Sequence, residues 1–160
     1  MSGGESGVGA VRHTFLRLAS QCARREYCQH DMLEKMRQKG LSEAEQAQVM
    51  QMLCEGRYVD DERFARAFVN DKVRYAKWGR RKIEQALWMK RIDEDIISSV
   101  LDDVDDEEYL AVLLPFVRQK MKSTRAASGY ELRMKVARAA LSRGYTMDLV
   151  NKCLGGDCGE

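Results

Sequence analysis

Between Lys72 and Ile92 stand eight bases, Lys72, Arg74, Lys77, Arg80, Arg81, Lys82, Lys90 and Arg91, against one acid, Glu84. Fixed cations at that density bind phosphates or carboxylates. The next stretch, Asp93 to Glu108, has nine acids and no base. From Arg118 to Arg143 the sign returns, with eight bases (Arg118, Lys120, Lys122, Arg125, Arg133, Lys135, Arg138, Arg143) and the single acid Glu131. Segment charges of +7, −9 and +7 thus lie beneath a net charge of only +2. A surface built only to coat a polyanion gains nothing from an acidic block between two basic ones, because acids within a Debye length of ~8–10 Å repel phosphates. The sorting fits either a partner that presents both signs, such as a nucleoprotein, or solvated helix faces that cluster by sign. Arg80, Arg81 and Lys82 open a helix, where positive charge opposes the dipole. Folding alone favours acids there, so an anionic partner is expected.

Other chemistry has little support. The sequence holds no Gly-rich phosphate loop, Ser–His–Asp order or His-x-x-x-His pair, so no catalytic residue, metal or cofactor is expected. Cys22 and Cys28, like Cys153 and Cys158, are spaced more widely than a zinc knuckle requires, and His13 and His30 are loosely placed. Five cysteines leave one over and show no framework spacing, which points to reduced thiols in the cytoplasm. The run Asp102-Asp103-x-Asp105-Asp106-Glu107-Glu108 lacks the central glycine of a calcium loop and suits a helix cap and first turn. Arg24 and Arg25, with Lys35 and Arg37, make a smaller basic patch. Trp78, beside Gly79, could stack on a base but is expected in the core.

The elements that position these groups read as helices. No segment alternates with period two, while apolar residues recur at three- and four-residue steps throughout. Asp60, Asp61 and Glu62 cap one helix and fill its first turn; Phe64, Ala65, Phe68, Val69, Val73 and Ala76 form its buried face. Gly79 breaks it, and a second helix buries Ile83, Ala86 and Leu87. Lys90-Arg91-Ile92-Asp93 then corresponds to Lys39-Gly40-Leu41-Ser42 and to Arg143-Gly144-Tyr145-Thr146. Each is a basic helix end, a turn residue, an apolar anchor and a cap. Gly40 and Gly144 suit a left-handed turn, whereas Arg91 there calls for a different closure or some strain. Ser42 and Glu45 form a capping box, and Ile92 with Ile97 and Tyr145 with Val150 form staples.

After each cap the same apolar pair of doublets follows: Val49-Met50-x-x-Leu53-Cys54, Ile96-Ile97-x-x-Val100-Leu101 and Leu149-Val150-x-x-Cys153-Leu154. A period near 50 residues fits three helices per unit. The expected fold is all-α: three tandem three-helix repeats in an elongated, curved array, with no linker between them. Residues 11–57, 58–103 and 104–154 are the repeats, 1–10 a disordered or frayed N-terminal tail and 155–160 a C-terminal tail. Pro115 predicts a kink or a displaced start in the third repeat's first helix. Charged residues at 32%, hydrophobic ones at 44% and one proline exclude disordered, collagen-like and turn-rich β chains. No apolar run approaches the ~18 residues of a membrane span. The Gly/Ser-rich start from Met1 to Ala10 lacks a signal pattern, so a cytoplasmic location is expected.

The stretch from Gly56 through Leu87 carries Tyr58-Val59-Asp60-Asp61, the Phe64-Ala65-x-x-Phe68-Val69 helix and Gly79-x-x-x-Ile83-x-x-x-Leu87. It closely resembles the RecX family, bacterial regulators of the RecA recombinase. Ala23-Arg24-Arg25-Glu26-Tyr27 and the helix from Met32 to Gly40 are similar to that family's first repeat; the resemblance is strong over 12–103 and weaker over 104–154. It implies a non-catalytic, crescent-shaped protein that docks in the groove of a RecA–DNA filament. Such a protein restrains strand exchange, ATP hydrolysis and the coprotease activity in DNA repair, recombination and the SOS response. RecA and single- or double-stranded DNA, read without sequence preference, are the implied partners; no membrane or small-molecule substrate is implied. The matching residues Asp60, Asp61, Phe64, Ala65, Phe68, Val69, Gly79, Ile83 and Leu87 cap and pack, so they mark the fold. Contact candidates come from the basic faces: Arg74, Lys77, Arg80, Arg81, Lys82, Lys90 and Arg91, then Arg118, Lys120, Lys122, Arg133 and Arg138. A helix-turn-helix-like, sequence-reading DNA-binding repressor is the alternative, distinguished by duplex binding without RecA.

Overall fold

In the computed structural model, which describes residues 3–155, nine α-helices and no strand occur among the described residues. They are α1 (Gly3–Cys22), α2 (Gln29–Gln38), α3 (Glu43–Glu55), α4 (Asp61–Arg74), α5 (Arg80–Met89), α6 (Glu94–Asp102), α7 (Asp106–Ser123), α8 (Gly129–Ser142) and α9 (Met147–Leu154). Within each consecutive set of three, the first helix packs on the third: α1 on α3, α4 on α6, α7 on α9. The tandem three-helix repeat is therefore present in the packing as well as in the sequence.

Local chemistry sets the boundaries. The Ser42 hydroxyl accepts from the Glu45 amide at 3.2 Å while the Glu45 carboxylate accepts from the Ser42 amide at 2.8 Å, a complete capping box. Asp60 caps α4 by accepting from the Arg63 amide at 3.1 Å, and Ser128 caps α8 through the Glu131 amide at 3.1 Å. At the other ends, Gly40 (φ 75°) and Gly144 (φ 95°) turn left-handed, but so do Arg57 (φ 58°) and Arg91 (φ 57°). No different closure operates at Arg91. Its amide bonds to the Trp88 carbonyl and that of Ile92 to Leu87, the same pair of bonds that Gly144 and Tyr145 make to Leu141 and Ala140. Strain of about 1–2 kcal/mol is the cost of a side chain there.

One expectation needs correction. Residues 3–10 are helical, as the first turns of α1, because extending a helix already nucleated on packed residues fixes one residue per hydrogen bond. Helix α7 runs through Pro115 without a displaced start; the missing amide leaves the Ala111 carbonyl without its helical donor, and both residues are exposed. Gly155 closes α9, and the rest of the expected C-terminal tail, Cys158 included, lies outside the described residues.

The buried residues form two clusters. One, in the first repeat, gathers Leu18, Met32, Met36, Val49 and Leu53. The other runs through the second and third repeats, joining Phe64, Ala65, Val69, Ile83 and Leu87 to Leu113, Val136, Tyr145 and Val150. Both staple pairs, Ile92 with Ile97 and Tyr145 with Val150, are buried in it. Only Cys28 reaches it from the first repeat. Val59 of the second repeat packs in turn in the first cluster, and Tyr58 meets Phe15 edge-on at 5.6 Å, so the first repeat joins the second through a small apolar contact as well as polar ones.

Candidate partner-binding surface

The start of α5 is built by a close approach. Gly79 is buried, and a methyl group there would overlap the backbone of Gly144 and Tyr145. The Gly79 amide donates to the Arg143 carbonyl at 2.8 Å, and the Arg81 amide donates to the Gly144 carbonyl at 3.0 Å. The negative end of α8 therefore abuts the positive end of α5 and satisfies amides that open it. This contact offsets the dipole against which Arg80, Arg81 and Lys82 sit, so their position does not by itself demand an external anion.

The twelve candidate bases differ in exposure. Arg80, Lys82, Lys90 and Lys120 are half-buried, and each has a partner within the molecule. The Arg80 guanidinium meets Asp102 at 2.7 Å; the ammonium groups of Lys82 and Lys120 lie 4.5 Å and 5.8 Å from the Trp78 and Phe116 rings. Lys90 meets Asp31 at 2.6 Å across the first and second repeats. Arg74, Lys77, Arg81, Arg91, Arg118, Lys122, Arg133 and Arg138 are exposed. The acidic segment takes part in this division, since Asp103 also holds Arg66 at 2.8 Å. Some of the charge sorting along the chain is thus complementarity between α6 and its neighbours. Asp105 holds the N-cap position of α7 without a side-chain capping bond, and Asp106, Glu107 and Glu108 fill its first turn.

Trp78 is half-buried, edge-on to Phe68 at 6.3 Å between centroids and packed against the larger core. In the small N-terminal patch, the Arg25 and Lys35 cations lie 4.8 Å and 4.9 Å from the Tyr27 ring, while Arg37 pairs with Glu34 at 2.7 Å. Among the described residues Cys22, Cys28 and Cys54 are free thiols, Cys28 buried and the other two half-buried, and Cys153 is buried. Burial pushes the Cys28 thiol up to about 12, which keeps it protonated.

Sequence reasoning missed the apolar part of the surface. Trp88 is 64% exposed and Met89 69%. Trp88 and Arg81 line a groove of about 460 Å³ between α5 and α6, together with Glu84, Glu94 and Ile97. On its other side Trp88 lines a second groove, of about 400 Å³, with Met89, Arg91 and Ile92. The signal was available: Ile83 and Leu87 define the buried face of α5, and Trp88 falls ~100° round from Leu87.

The joint between the first two repeats carries its own electrostatics. Burial works to raise the Asp31 carboxyl, but the Lys90 ammonium and the Cys28 amide hold it below the usual carboxylate range. Burial raises that of Asp61, although the Gln29 amide donates to it at 2.9 Å. Glu26 and Arg63 add a 2.8 Å pair. No group of three or more His, Cys, Asp or Glu side chains suited to a metal occurs among the described residues. No described helix is long and apolar enough to cross a membrane.

Comparison with known proteins follows this architecture. Residues 60–101 match the family model described as RecX, second three-helix domain, and residues 106–154 match RecX, third three-helix domain. A regulatory protein RecX from Clostridium perfringens (strain SM101 / Type A) is 31% identical over 123 residues, which are 76% of this chain and 57% of the relative. The chain therefore spans little more than half the length of that protein. A regulatory protein RecX from Acinetobacter baylyi is 28% identical over 82% of this chain and 79% of its own length. The crystal structure of RecX from Lactobacillus salivarius superimposes with a TM-score of 0.83 at 14% identity, covering 92% of this chain and 96% of that one. Helices grouped in threes, two consecutive domain matches and a shared fold along nearly the whole chain place the protein in the RecX family.

Proposed function

We propose that this protein binds the RecA–DNA filament in the cytoplasm and restrains the recombinase, ATPase and coprotease activities of RecA without making or breaking covalent bonds. It belongs to a family whose members are named as regulatory proteins. The observation that carries the reading is the division among its bases. Arg74, Lys77, Arg81 and Arg91 around α4 and α5, and Arg118, Lys122, Arg133 and Arg138 on α7 and α8, remain exposed. Exposed fixed cations meet DNA phosphates and acidic protein side chains, and contacts of that kind weaken as salt is added. Trp88, between Arg81 and Arg91, adds an apolar anchor of the sort that dominates binding energy when a partner covers it.

The direct test is a titration of purified protein into RecA, single-stranded DNA and ATP, with hydrolysis followed over time. A progressive fall in the hydrolysis rate, relieved by added salt, is the expected result. Full hydrolysis at saturating protein overturns the reading. Tight, sequence-dependent binding to duplex DNA without RecA assigns the protein to the repressor class instead.

A further inference from the structure

The turn between α4 and α5, residues 75–79, collects positive charge around an uncovered ring. Tyr75 closes α4 and is 76% exposed, and among the described residues neither a cation nor a second ring lies against it. Arg74 and Lys77, both exposed, flank it in sequence, and among the described residues no ion pair or hydrogen bond engages either side chain. Three more cations stand at the turn. The Lys72 and Lys82 ammonium groups lie 5.0 Å and 4.5 Å from the Trp78 ring, and the Arg143 guanidinium donates to the Ala76 carbonyl at 3.4 Å. Of the nearby acids, Asp71 pairs with Lys72 at 3.7 Å, and Asp103, held by Arg66, shares a cleft with Glu108 and Arg74. Backbone bonds fix the turn: the Tyr75 and Ala76 amides donate to the Asp71 carbonyl at 2.9 Å and 3.3 Å, and the Trp78 amide to the Lys72 carbonyl at 2.9 Å. Lys77 stands in it at φ 60°, a conformation that Gly40 and Gly144 adopt without strain. The α4 dipole rewards a cation there, but by less than the strain of a side chain. Strain of this kind persists where the surroundings over-determine it, and it clusters at ligand contacts.

We propose that this turn binds single-stranded nucleic acid, an unstacked base lying on the Tyr75 ring and the adjoining phosphates met by Arg74 and Lys77. Single strands are held by this combination, a cationic surface that follows the backbone and an open ring for a base. A duplex keeps its bases stacked on one another and uses the cations alone, so Tyr75 is the residue that separates one strand from two. An acidic peptide would likewise engage the cations and leave the ring idle. Trp78 does not serve in place of Tyr75, because it is half-buried edge-on to Phe68 with ammonium groups at its face. The assignment rests on the reading of the exposed bases as partner contacts, adds Tyr75 to them and names the strand state that this turn recognises.

The test uses the full chain with three fluorescein-labelled ligands, an oligothymidylate of about fifteen nucleotides, an abasic strand of the same length and a duplex, each followed by anisotropy at one ionic strength. RecA is absent, so failure here is distinct from failure to inhibit ATP hydrolysis. Tyr75→Ala should weaken oligothymidylate binding at least about five-fold and leave the abasic strand and the duplex unchanged, while Tyr75→Phe keeps the wild-type affinity for all three. Lys77→Gly should weaken all three alike, by about two- to five-fold, with an unfolding midpoint at or above that of wild type because the left-handed strain is gone. Both side chains are exposed, so each variant should fold. Absence of saturable oligothymidylate binding, or equal affinity of wild type and Tyr75→Ala for that strand, overturns the proposal. So does a loss of the same size for the abasic strand, or tighter binding of a poly-glutamate peptide that displaces the oligothymidylate.

Discussion

The buried hydroxyls of Tyr109 and Tyr145 have no hydrogen-bond partner, and burial pushes both phenols up to about 12. A desolvated donor without a partner is a cost that phenylalanine lacks. Tyr109→Phe should therefore leave stability unchanged or raise it by up to about 1 kcal/mol, read as a urea midpoint; a loss of that size reveals a bridging group in the core. Arg91 presents the converse case, a strained backbone beneath an exposed charge. Arg91→Gly should relieve the left-handed turn, holding or raising stability by up to about 1 kcal/mol, while weakening inhibition of RecA. Weakened folding with intact inhibition would reverse the roles given to that residue. Capping and packing residues such as Ser42, Asp60, Phe64 and Leu87 were legible in the sequence because their partners lie within a turn or on a periodic face. The fates of Arg80, Lys82 and Lys90 were not. Asp102, Trp78 and Asp31 become their partners only through tertiary packing.

Between elements, the two joints of the array differ in kind. Helices α5 and α8 meet end to end through backbone, and Gly79 has no room for a methyl group. Gly79→Ala should cost about 3 kcal/mol, the upper end of overpacking, and separate the third repeat from the second in a proteolysis or unfolding trace. A wild-type midpoint would mean that the backbone contact yields easily. Gly79 was read from sequence as a helix breaker, and nothing local announced its approach to Gly144, 65 positions away. The first repeat is held instead through side chains, by Lys90–Asp31 and Arg63–Glu26 beside the apolar contacts of Cys28, Val59 and Phe15–Tyr58. Because the Asp31 carboxyl is held low, its pairing contributes fully above the ordinary carboxylate pKa of ~3.9 and is lost as pH falls through the lowered value. Asp61 opposes this: its raised carboxyl favours protonation in the fold, a contribution lost as pH rises through its folded pKa. Asp31→Asn should cost roughly 1 kcal/mol near neutrality, discounted for the solvent that reaches half-buried Lys90, and the difference from wild type should be lost as pH falls through the lowered Asp31 pKa. A difference that persists in acid would point to packing in place of charge.

At the scale of the molecule, a shared core makes one body of the second and third repeats, and the first is attached by ion pairs together with apolar contacts at Cys28, at Val59 and between Phe15 and Tyr58. The repeat itself was legible because three helix ends and three doublet pairs recur in register; the division into two buried clusters depends on which faces meet, and period alone does not specify that. The dipole of α5 shows the same limit, since the α8 carbonyls that offset it come from the next repeat. Partner binding then belongs to the bases that folding leaves exposed. The most direct measurement is RecA ATP hydrolysis on single-stranded DNA, titrated with wild type and with the Arg81→Glu, Arg91→Glu double variant at one ionic strength. The account predicts an unchanged unfolding midpoint and at least about a ten-fold rise in the concentration needed for half-inhibition. Equal inhibition by the two folded proteins contradicts it.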